Sequence, residues 1–172
     1  MSVDHYLLPI TDAELASLLE APARVRDLVQ QRSDRVVTLG EDGVAIVSLT
    51  ATSDQDPLSF LRTGAPDSQS GWIGKYVEEG GRVITCEVDM GYGPASYYRN
   101  SFLIEVARKL QPLTRDAFAR KCNLDWLEKN HVYPGGWHNE GMKEILIDSF
   151  DRYRTCVLGA AKSGRHLLVW CG

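Results

Sequence analysis

No stretch of this 172-residue chain approaches the roughly 20 consecutive apolar residues that a membrane-spanning helix requires, so a helical span is not expected. A basic excess is missing too. The net charge is −4, and Lys and Arg are scattered among acids, whereas nucleic-acid binding rests on clustered cations that neutralise phosphates. The densest pairing, Arg115–Lys121, reads as the solvated face of a helix. The amino-terminal M-S-V-D-H-Y-L-L-P-I carries an acid where a secretion signal carries positive charge, and Pro9 cuts its apolar run, so a cytosolic location is expected.

Paired cysteines are absent as well. Cys86, Cys122, Cys156 and Cys171 lie at wide, irregular intervals, which gives neither a C-x-x-C pair nor a zinc-ligand cadence. Buried free thiols are the simpler expectation. There is no G-x-S-x-G elbow to present a serine, no G-x-x-x-x-G-K-[ST] loop to cradle phosphates, and no H-E-x-x-H pair. The segment G-Y-G-P-A-S lacks the third glycine of a dinucleotide turn. No cofactor and no metal site is therefore expected.

What is present is an ordinary globular composition. Hydrophobic residues at 44% and charged residues at 24% suit one folded core, and the chain is long enough to bury roughly 70% of the surface it exposes when unfolded. A single domain over 1–172 is expected, because neither an internal repeat nor a linker divides the chain. Thr11 and Glu14 form a capping-box pattern ahead of a helix at Asp12–Glu20, with Ile10 placed to staple onto Leu15. Pro22 suits the first turn of a second helix bearing Val25, Leu28 and Val29 on one face.

Arg35–Leu39 and Val44–Thr50 read as a hairpin around G-E-D-G, followed by a polar stretch from Ala51 to Gly71. Val83–Val88 alternates Ile84, Cys86 and Val88 against Thr85 and Glu87, the pattern of a strand. Helices are expected with Phe102, Val106 and Leu110 on one face, then near Thr114–Arg120 and Asn123–Lys129. The longest runs from Asn139 to Gly164, with Met142, Ile145, Leu146, Phe150, Tyr153, Val157 and Ala160 at a period near ~3.6. His166–Trp170 closes the chain as an apolar strand inside the sheet. The fold class is α+β: a mixed β-sheet of about four to six strands packed with several helices, including the long C-terminal one.

Two aromatic bends stand out. Glu87–Tyr98 reads E-V-D-M-G-Y-G-P-A-S-Y-Y, and His131–His138 reads H-V-Y-P-G-G-W-H. With the capped helix pair, the F-L-R-T-G segment and the long last helix, these motifs resemble the YfbM-like family, the bacterial domain of unknown function 1877, over nearly the whole length. The resemblance implies a fold more firmly than an activity. The chain departs from it around Thr50–Gly64, where relatives place a tryptophan and a histidine.

Within the first bend, Gly91, Gly93 and Pro94 reverse the backbone after a strand and bring Tyr92, Tyr97 and Tyr98 to its end, a common place for a pocket. Tyrosines in a tight turn also serve simply as wedges against the core. Glu87 and Asp89, two apart on a strand, stand roughly 7 Å from each other, a spacing that suits an acid and base pair in a hydrolase. A solvated sheet face explains them equally well. His131 and His138 flank a loop that can bring both imidazoles toward one ion, with Asp125 or Glu140 as a third ligand, though a surface or hydrogen-bonding role is the plainer reading.

The leading functional expectation is a non-catalytic protein-binding module anchored by Tyr92, Tyr98, Tyr133 and Trp137, with Tyr97 and His138 nearby. Its concrete form is an immunity-type protein that masks a basic toxin cleft. The alternative is a small-molecule hydrolase using Glu87 and Asp89. Both place the two bends together beside one end of the sheet.

Overall fold

A computed structural model describes residues 4–40, 81–129 and 135–172. The second strand of the expected hairpin, Val44–Thr50, and the polar stretch Ala51–Gly71 lie outside the described residues, as do His131 and Tyr133. The chain begins with β1 (His5–Ile10), α1 (Asp12–Glu20), a 3-10 turn at Pro22–Arg24, α2 (Val25–Gln31), a second 3-10 turn at Ser33–Arg35, and β2 (Val37–Gly40). It resumes with β3 (Gly81–Val83), β4 (Ser96–Tyr98), α3 (Asn100–Leu110), α4 (Arg115–Lys121), α5 (Leu124–Lys129), α6 (Met142–Lys162) and β5 (His166–Cys171).

The strands form one sheet in the order β2-β1-β5-β4-β3. A mixed sheet was expected; every described pairing is antiparallel. The α+β class and the long C-terminal helix stand. β5 lies at the centre, as its apolar run requires, paired with β1 from His5↔Cys171 to Ile10↔His166 and with β4 from Ser96↔Val169 to Tyr98↔Leu167. β1 itself does not announce its strand character. Both of its faces are covered, so H-Y-L-L-P-I shows an apolar run without the alternation of a half-exposed strand. Pro9 is accommodated because the pairing with β2 ends at Leu7, leaving one neighbouring strand at that position.

Alternation along the strands builds two cores. Leu7, Tyr98 and Leu167 join Leu103, Val106, Leu110, Phe118, Leu146 and Phe150 on the face covered by α3 to α6. Leu8, Ile10, Tyr97, Leu168 and Trp170 join Leu15, Leu18 and Val25 of α1 and α2 on the other. The sheet is therefore the middle layer of three. Phe118 of α4 stacks on Phe150 of α6 with ring centroids 4.0 Å apart, and Tyr6 stacks on Trp170 across β1 and β5 at 5.3 Å.

Local chemistry sets the element ends. The Thr11 hydroxyl accepts from the Glu14 amide at 3.2 Å while the Glu14 carboxylate accepts from the Thr11 amide at 2.8 Å, the reciprocal box expected from sequence. α6 starts at Met142, whose amide donates to the Asn139 carbonyl, and is followed by Gly164 at φ +70. Ile145, placed by periodicity on its inner face, is exposed.

The strand expected at Val83–Val88 does not form. Pairing ends at Val83, and the chain bends from Ile84 onward. The Thr85 hydroxyl takes the Glu87 amide at 3.2 Å, and the Asp89 carboxylate takes two further amides, so side chains satisfy backbone groups that a ladder would otherwise use.

Candidate functional site

The bend from Ile84 to Ala95 is a closed loop between two edge-side strands. Its neck is tied by the Ile84 amide donating to the Ala95 carbonyl at 2.9 Å, and its tip by the Met90 amide donating to the Gly93 carbonyl at 2.8 Å. Between those last two residues stand Gly91 and Tyr92. Gly91 at φ +131 and Gly93 at φ +104 adopt backbone conformations that a side chain disfavours. Gly91 has a second reason to be glycine: a Cβ there would lie 2.6 Å from the Gly172 Cα.

One carboxylate organises the tip. Asp89 Oδ1 accepts the Gly91 and Gly93 amides, each at 2.9 Å. These two hydrogen bonds, with the Arg26 charge adding to them, hold the Asp89 carboxyl below its ordinary range despite slight desolvation. The Asp89 carbonyl accepts from the Arg26 guanidinium of α2. The Tyr92 amide donates to the Cys171 carbonyl at 3.1 Å, which leans the tip on the end of β5. Val88 and Met90 pack against the core shared with α1 and α2. Tyr92, by contrast, leaves its side chain outward, with 38% of the residue exposed.

This geometry removes the basis for a Glu87 and Asp89 catalytic pair. The two residues do not share a strand face; Glu87 lies in a turn, Asp89 in the loop just past it, and both are exposed. Asp89 is already committed to two amides and is held ionised, which makes it a weaker base than an unperturbed aspartate.

The remaining aromatic candidates are dispersed. Tyr97 and Tyr98 are in β4 rather than in the turn, and both are buried on opposite faces. Arg99 carries its guanidinium 6.0 Å above the Tyr97 ring, and Tyr98 stacks on Phe102 at 5.5 Å. Trp137 is 0% exposed within the core of α3 to α6, and its amide donates to the Glu128 carboxylate at 2.8 Å. Val88 and Met90 of the first bend and Trp137 of the second thus pack in different cores, on opposite faces of the sheet, and with Tyr92 turned outward the expected convergence of Tyr92 with Trp137 does not occur. The reason is packing: tryptophan has a large apolar area to bury, and Trp137 buries it in the core of α3 to α6, its backbone tied to Glu128 of α5.

His138 is exposed, with Nε2 3.5 Å from Asp125 Oδ1. Among the described residues no group of three His, Cys, Asp or Glu is arranged to hold a metal ion. Cys86 is exposed rather than packed in a strand, while Cys156 and Cys171 are buried and their thiols are pushed up to about 12 by desolvation. Cys122 is intermediate and shifted upward by the same cause.

Two features were not visible in the sequence. Arg26 lies 63 positions from Asp89, so no spacing rule links them. His166 is buried at the start of β5, where Nδ1 accepts the first amide of α3, at Asn100, at 3.0 Å and Nε2 lies 2.7 Å from Asp12 Oδ1. With Nδ1 accepting, Nε2 carries the hydrogen and donates to Asp12. The Asn100 side chain donates in turn to the carbonyls of Ala160, Ala161 and Arg165. This network pins α1, α3 and the end of α6 to β5 and leaves neither imidazole nitrogen for chemistry.

An open groove of about 700 Å³ lies between β2 and α6, lined by Val37, Thr38, Asp151, Arg152, Thr155 and Cys156. None of the candidate binding or catalytic residues read from sequence lines it. Among the described residues no helix is long and apolar enough to cross a membrane.

The architecture defines a class: an α+β fold whose described strands form one antiparallel sheet held between two helical layers, with a tyrosine-tipped bend at the end of the central strand. The family model described as a domain of unknown function, DUF1877, matches residues 1–170, and the chain belongs to that family. The crystal structure of YfbM from Escherichia coli, a protein described as of unknown function, is similar over 100% of both chains, with a TM-score of 0.61 at 19% identity. That likeness shows the fold. No match was found among curated proteins.

Proposed function

We propose that this protein is a non-catalytic binding module that recognises a protein partner through the 84–95 bend. The observation that carries the reading is Tyr92: a large aromatic side chain held outward on a loop whose backbone is tied by Asp89, Arg26 and the end of β5. Rigid aromatic anchors contribute most at interfaces because they bury much area while losing little conformational freedom on binding. Of the aromatic residues chosen from sequence and described here, Tyr97, Tyr98 and Trp137 are spent on the cores, which leaves Tyr92 as the anchor.

A narrower form of this reading is an immunity-type role, in which the protein covers the active site of a basic toxin. Net charge −4 and the exposed Glu87 and Asp89 beside Tyr92 favour a cationic surface on the partner. The test uses wild type and Tyr92→Ala as paired baits in bacterial lysate, followed by titration of the recovered protein. Wild type is expected to retain a stoichiometric partner, and the variant to bind it at least roughly thirtyfold more weakly, the effect of losing a ~2 kcal/mol anchor. Equal affinity of both baits, or no stoichiometric partner for either, would refute the reading. A recovered partner with an acidic contact surface would refute the toxin form alone.

A further inference from the structure

We draw no further inference here: the strongest candidate, the open groove between β2 and α6 bordered by Thr38, Asp151, Arg152 and Thr155, carries no proposal because nothing in the structure shows what covers it.

Discussion

The Asp89 carboxylate accepts two amide hydrogens that have no ladder partner, and both bonds favour its ionised form. Its folded-state pKa is depressed, so any stabilisation it provides is present above the unfolded-state value and is lost as pH falls through the lower, folded one. The Gly91 and Gly93 amide resonances should accordingly titrate with a common midpoint below the ordinary aspartate range. A midpoint at or above that range, read by heteronuclear NMR, would show that the two bonds do not persist in solution. Trp137 offers the opposite kind of residue. Truncation to alanine should cost about 3–5 kcal/mol in denaturant unfolding, as for other fully buried aromatic side chains, whereas Tyr92→Ala should remain within about 0.5 kcal/mol of wild type. That contrast separates a core tryptophan from a surface anchor, two roles that the sequence presents alike because each ring follows glycine in a bend.

Elements built from neighbours in the chain were the most legible. The α1 box joins residues three apart, so Thr11 and Glu14 suffice to recognise it. Burial pushes the Glu14 carboxyl upward, but the Thr11 and Arg32 hydrogen bonds together outweigh it and the group lies below its usual value. The 2.8 Å pair with Arg32 also ties α1 to the end of α2. Replacing Thr11 with alanine should lower stability by about 1 kcal/mol, measured by urea unfolding. A change near zero would mean that packing of Leu15 and Leu18 alone fixes the helix start. α6 was equally readable, since its buried Leu146, Phe150, Tyr153, Val157 and Ala160 repeat along one face. The segment at Val83–Val88 shows the limit of such patterns. Its alternation is real, yet Thr85 and Asp89 capture amides locally and the chain bends instead.

At the scale of the molecule, a sheet covered on both faces explains the thiols as well as the missed first strand. Cys156 packs in the core beneath α3 to α6 and Cys171 ends the central strand, so their thiolates are strongly disfavoured. In the native protein, a thiol reagent at neutral pH should modify Cys86 quickly and Cys122 more slowly. Cys156 and Cys171 should react only on unfolding. Rapid modification of all four, followed by mass spectrometry, would contradict the burial of β5.

Composition, charge and helical period determined by themselves that this chain forms an ordinary α+β core with a capped first helix and a long last one. Those properties depend on neighbours within a turn or two, and such neighbours are written side by side. Only the tertiary structure decided that β1 is a strand, that Trp137 is buried in a core while Tyr92 turns outward, that Arg26 supports Asp89, and that His166 is a staple. Each of these depends on contacts between distant segments across a shared sheet, and the side to which a ring turns is settled by which layer has apolar volume left to fill.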